Sequence, residues 1–212
     1  MSSGVWKIRG RGAGSNPAGR FEQRQTVRQS DGWDLKDLQP PLLRTTVTAE
    51  KSKSIITRNA SPDVPFEQSI NPYRGCEHGC VYCYARPAHA YMDLSPGLDF
   101  ETRLFYKPDA VRMLRQELSR RSYRCKPIAF GTNTDPYQPV EQRLRITRDL
   151  LETLVEHRHP FTIVTKSALI ERDLDLIAAA AAQRLAAVMI SVTTLDPALK
   201  RSLEPRAASP GA

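Results

Sequence analysis

The chain has 212 residues, of which 40% are hydrophobic and 25% charged, and Lys and Arg outnumber Asp and Glu by 31 to 23, a formal net charge of +8. That length buries one sizeable core, so a single globular domain with a tail is expected. No run of eighteen apolar residues occurs and the opening MSSGVWKIRGRGAG has no apolar h-region, so neither a membrane span nor a secretory signal is supported and a cytoplasmic location is expected.

Residues 1–30 hold six basic groups (Lys7, Arg9, Arg11, Arg20, Arg24 and Arg28) against one acid, Glu22. A segment rich in Gly, Ser and Arg cannot offset its ordering entropy by burial, so residues 1–40 read as a flexible basic arm. Such an arm can follow nucleic-acid phosphates by counterion release, with a merely solubilising role as the alternative. An organelle transit peptide needs an amphipathic helix, which four glycines in the first fourteen residues oppose.

From residue 41 the pattern changes. Residues 42–56, LLRTTVTAEKSKSII, carry β-branched pairs around a charged centre and predict a lead-in strand or hairpin. Pro62, Pro65 and Pro72 punctuate an extended approach to NPYRGCEHGCVYCYA at residues 71–85. Pro108 and Asp109 open a helix with Val111, Leu114 and Leu118 on one face. PIAFG (127–131) predicts a short buried strand, residues 146–157 a helix with Leu150, Leu151, Leu154 and Val155 inward, and FTIVT (161–165) another strand. A third helix is expected over 170–182 with Leu174, Ile177 and Ala178 inward. AAVMISVTT (186–194) reads as a fourth strand, and Asp196 with Pro197 caps a last short helix. Strands alternating with helices at this spacing imply parallel βα units with ligands at the strands' carboxyl ends. Polar groups follow each strand there: GTNTD (131–135), TKS (165–167) and SVTT (191–194). Ser167 reads equally as a site residue or a helix cap.

Three of the four cysteines, Cys76, Cys80 and Cys83, fall within eight residues, while Cys125 stands alone. The i, i+4, i+7 spacing would put the three on one helical face, but Gly75 and Gly79 argue against a helix and for a loop that wraps an ion. A structural zinc needs a fourth ligand, recruited from Cys125, His78 or His89. A [4Fe-4S] cluster held by three thiolates would leave one iron open to an exogenous ligand.

Cys76-Glu-His-Gly-Cys80-Val-Tyr-Cys83, with an aromatic before the last cysteine, resembles the cluster signature of the radical S-adenosylmethionine (SAM) superfamily. The wider text, SINPYRGCEHGCVYCYARPAHAY with GTNTDPYQPVE, TKS and SVTTLD, resembles a bacterial group related to spore photoproduct lyase. The likeness runs from about Lys7 to Pro210 and takes in GRGAGSNPAGRFE. It implies a partial (β/α) barrel, with about four βα units in residues 41–212. It also implies that Cys76, Cys80 and Cys83 ligate a [4Fe-4S] cluster whose fourth iron chelates SAM. Reduction, by a donor such as a flavodoxin or ferredoxin, would give a 5′-deoxyadenosyl radical that abstracts hydrogen from a substrate, with nucleic acid one candidate. By position, Lys166 resembles the lysine that meets the SAM carboxylate, a role that suits a point cation. Thr134 and Ser191 look like further SAM contacts, Tyr82 a neighbour of the adenine, and Asn133 and Asp135 candidates for the amino group. Thr132 stands where the photoproduct lyases have a hydrogen-returning cysteine, which argues against that repair reaction. Cys125, before its strand, reads as a small buried apolar residue. Family members continue beyond LEPRAASPGA, so a barrel incomplete at its C-terminus is expected, with an exposed edge and apolar face at the fourth strand.

Overall fold

The computed structural model describes residues 8–21 and 43–211. Its strands and helices run in the order β1 (Thr46–Ala49), β2 (Ile56–Arg58), β3 (Gln68–Ile70), β4 (Tyr73–Arg74), a 3-10 helix (Arg86–Met92), α1 (Leu98–Thr102), β5 (Arg103–Tyr106), α2 (Ala110–Leu118) and β6 (Ile128–Phe130). There follow α3 (Glu141–Leu144), α4 (Ile146–Glu156), β7 (Phe161–Thr165), a second 3-10 helix (Ala168–Asp173), α5 (Leu174–Ala181), β8 (Ala186–Ile190) and α6 (Pro197–Leu203).

The main sheet has the order β2-β3-β6-β7-β8. Its last four strands are parallel, and β2 joins antiparallel to β3. β6, β7 and β8 fall in the three stretches expected to be strands, while β3 lies in what the sequence marks only as an extended approach to the cysteines. β6 is buried throughout, as a parallel strand covered on both faces must be. α2 and α4 pack against it through Leu114, Leu150, Leu151 and Leu154, none of which reaches solvent. Each such side chain contributes about 1.5–3 kcal/mol when fully buried.

Four differences from expectation have physical causes. Residues 42–56 supply strands, as one of the two readings had it, but no hairpin. Leu42 lies outside the described residues, β1 pairs in parallel with β5, and β2 goes to the other sheet. With β4, these strands build a second sheet, β1-β5-β4, that carries the chain into the cysteine segment. The third helix begins as a 3-10 turn, whose three-residue period shifts the phase, so Ile177 and Ala180 face inward while Leu174 and Ala178 are exposed. The fourth strand ends at Ile190, and Cys125 is exposed rather than buried. It lies in the irregular approach to β6, where the neighbouring Arg124 carbonyl accepts from Gln68.

Of the arm read as residues 1–40, residues 1–7 and 22–40 lie outside the described residues. Residues 8–21 are anchored at several points, with Arg11 buried while Arg9, Arg20 and Phe21 stay exposed. Arg11 is 9% exposed and donates to the Glu101 carbonyl at 2.8 Å, while the Gly12 and Ala13 amides donate to the Glu101 carboxylate at 2.9 and 2.8 Å. Ser15 and Pro17 carbonyls accept from Leu98 N and Ser95 Oγ. A fully buried carboxylate needs such donors, and this stretch supplies them. No described helix is long and apolar enough to cross a membrane.

Candidate cofactor site

The cysteine segment leaves β4 and forms a loop instead of a helix. Gly75 and Gly79 adopt φ of 75° and 68°, the left-handed region that an L side chain resists. A Cβ at Gly75 would lie 2.7 Å from Leu104 Cδ2 and 2.8 Å from the Phe100 carbonyl oxygen, so the loop closes onto β5 and α1 only through glycine. The loop is then fixed from several sides. Cys76 N donates to Phe100 O, Glu77 N to Gln138 Oε1 and Val81 N to Leu203 O, at 2.9, 3.0 and 2.9 Å. The Arg86 guanidinium holds the Cys80 carbonyl through Nε and Nη2 and pairs with Glu101 at 2.6 Å.

Cys76, Cys80, Tyr82, Cys83, Thr134, Lys166 and Ser191 all line one cavity, together with Asn133 and Asp135. They come from the cysteine loop and from the segments that follow β6, β7 and β8, so the carboxyl ends of three parallel strands converge on the thiols. Asp135 is the organiser between them. It accepts from Thr165 Oγ1 at 2.7 Å, Lys166 N at 2.8 Å and Tyr137 N at 2.8 Å, and its Oδ2 lies 3.3 Å from His78 Nδ1. Burial alone would raise the Asp135 carboxyl, but His78 and these donors hold it below its ordinary value. Burial likewise opposes a charged His78, yet Asp135 and the adjoining Cys76 raise its imidazole to about 10. Asp135 is thereby committed to the fold of the site. Thr134 lines the cavity with its hydroxyl donated to the Tyr73 carbonyl at 3.1 Å. Ser167 accepts from Leu169 N, and so it caps the following turn.

Lys166 stands at the end of β7 with its Nζ 2.8 Å from Ser191 Oγ, 3.0 Å from Thr193 Oγ1 and 2.8 Å from Glu204 Oε1. Its ammonium lies 5.7 Å from the centre of the Tyr82 ring, a cation-π contact. Glu204, just after α6, is 4% exposed and also accepts from Thr193 Oγ1 at 2.6 Å and from Tyr82 Oη. Burial raises its carboxyl above the ordinary value. Thr193 falls in the SVTT stretch expected to carry site groups, but sequence reasoning missed Glu204, whose partners arrive only by tertiary folding. The sole hint was an acid directly after an amphipathic turn that ends in Leu203.

The donor set can be tested against the candidate cofactors. All four cysteines are free thiols, and the cavity holds three of them; Cys125 is not among its walls. Burial pushes the Cys80 thiol up to about 12, with Cys76 and Glu204 adding to it, and burial raises Cys83 as well. Metal binding must therefore displace protons from them. Among the described residues no three of His, Cys, Asp and Glu converge closely enough to hold a single metal ion. The zinc alternative needs four ligands about one ion and finds no such set there. A cubane takes one thiolate per iron, and the three thiols that line this cavity match a cluster with one iron left open.

The sequence pattern of the Radical SAM superfamily matches residues 70–210. An uncharacterized protein of Mycobacterium tuberculosis is 44% identical over 149 residues, covering 70% of this chain and 44% of its own length. An uncharacterized protein of Methanocaldococcus jannaschii is 26% identical over 138 residues, 64% of this chain and 48% of its own. One from Acidianus two-tailed virus is 25% identical over 180 residues, 83% of this chain and 57% of its own. The chain thus spans about half the length of the curated relatives it matches. No solved structure matches it. With the matched region running from the end of β3 through α6 and enclosing the whole cavity, the chain belongs to the radical SAM superfamily.

Proposed function

We propose that this chain binds a [4Fe-4S] cluster through Cys76, Cys80 and Cys83 and SAM beside it, and acts as a radical SAM enzyme. The observation that carries this reading is convergence: seven residues singled out from four separate stretches of sequence line one cavity. When bound and reduced, the cluster supplies the electron that cleaves SAM to methionine and a 5′-deoxyadenosyl radical.

The chain's own residues do the rest. The left-handed glycines and the Arg86 clamp fix the thiols. Lys166 offers the cation for the SAM carboxylate, and Glu204, Ser191 and Thr193 hold that ammonium in place. Tyr82 screens the same ammonium with its ring. The reading calls for an external one-electron donor of the flavodoxin or ferredoxin kind. The likeness to the photoproduct lyase group and the +8 charge favour a nucleic-acid substrate, although Arg11 is withdrawn from that role by its bonds to Glu101 and Thr45. Thr132, whose hydroxyl is engaged with Asn71, argues for a reaction other than photoproduct repair.

The test is anaerobic reconstitution followed by dithionite reduction with SAM. Chromatography is expected to show 5′-deoxyadenosine from the wild type and none from Cys76→Ala, Cys80→Ala or Cys83→Ala. Equal yields from wild type and variants would refute the assignment.

A further inference from the structure

A second cavity adjoins the first and shares Asn133 and Thr134 with it. It is bounded by Asn71, Arg74 and Lys107 from the second sheet and its connections, and by His89 and Phe100 below. No acidic side chain lines it among the described residues. Lys107 is 8% exposed, and its ammonium makes one hydrogen bond, to the Asn71 carbonyl at 2.8 Å. An ammonium carries three donors, and among the described residues no carboxylate lies within ion-pair distance of this one. Burying a cation in this way is costly unless something pairs with it. Glu50 is taken by Arg74 at 2.9 Å through Nε, and the half-exposed Arg74 guanidinium has no other hydrogen bond among the described residues. The cavity wall therefore holds two cations and no acid. Glu50, ion-paired with Arg74 and also felt by Lys107 from beyond ion-pair distance, offsets one charge.

We propose that this cavity is a binding site for an oxyanion, a phosphate or carboxylate group, seated on Lys107 with Arg74 at its entrance. As a site for part of the substrate it rests on the proposed function, because a radical made in the first cavity must reach a group held in an adjoining one. Asn133, whose side chain makes no hydrogen bond among the described residues, sits on the shared wall and is placed to contact both occupants.

Thermal unfolding of the full chain, with and without reconstituted cluster, is followed during titration with inorganic phosphate or acetate against chloride at matched ionic strength. Phosphate or acetate is expected to raise the wild-type midpoint with saturation. Lys107→Arg should keep the response, and Lys107→Met should weaken apparent affinity at least about tenfold, the value of one lost charge-assisted contact. A response to phosphate alone identifies a phosphate ester, and to acetate alone a carboxylate. No saturable response in the wild type, or the same response in Lys107→Met, overturns the proposal. Cluster loss with the anion response intact would instead fault the cofactor assignment, so the two failures are distinguishable.

Discussion

Lys166 shows how one side chain joins fold and chemistry. Its ammonium offsets the buried Glu204 carboxylate, so removing it leaves an acid stranded in a site that is only partly open to water. Lys166→Met should lower stability by about 3 kcal/mol in urea unfolding, the cost of breaking a buried ion pair from one side. Glu204→Gln keeps an acceptor for Tyr82 and Thr193 and should cost about 1 kcal/mol. The same Lys166→Met change should weaken SAM binding by roughly 10- to 100-fold, read by equilibrium dialysis with the reconstituted protein. Unchanged SAM affinity would remove Lys166 from the cofactor site.

Among the elements, α6 is the one that braces the cysteine loop from outside the sheet. Its cap Asp196 accepts from Ala198 N and Leu199 N, its last carbonyl holds Val81 N, and Arg206 beyond it donates to the His78 carbonyl and pairs with Glu77. Asp196→Ala should cost about 1 kcal/mol and speed hydrogen exchange at the Val81 amide, 115 residues earlier in the chain but joined to α6 by one bond. β8 is the opposite case. Val188, Met189 and Ile190 are 38%, 59% and 56% exposed on an edge strand, so Met189→Lys should slow aggregation, seen by light scattering, with stability changed by no more than about 0.5 kcal/mol. β6, α4, β7, α5 and β8 were legible because each carries an apolar pattern bounded by turn residues, and α6 from its Asp196–Pro197 cap, whereas the four-residue α3 was not. The sheet β1-β5-β4 was not, since its strands have two to four residues and pair across distant sequence. The cysteine loop was legible from local spacing. Glu101 and Glu204, which anchor the arm and Lys166, were hidden because an isolated acid has no periodicity to betray its burial.

At the scale of the molecule, pH dependence follows from two histidines outside the thiol cavity. Burial lowers the pKa of both His89 and His159, so each stays neutral in the folded chain after the unfolded chain has taken up a proton near pH 6.5. Their contribution to stability is present above that pH and is lost as pH falls below it. His78, already charged in the folded chain, works in the opposite sense as pH falls through 6.5, so the decline belongs to the window below it: urea titrations from pH 6 to 5 should show it, and His159→Gln should make it shallower; an identical slope would contradict the account. The central claim concerns the cluster itself. Iron and sulfide analysis of the anaerobically reconstituted chain, with electron paramagnetic resonance of the reduced protein before and after SAM is added, tests it most directly. The account predicts about four irons and four sulfides per chain, lost in each of the three cysteine variants, and a spectrum that changes when SAM occupies the open iron. One zinc and no iron per chain, or a spectrum indifferent to SAM, would contradict it.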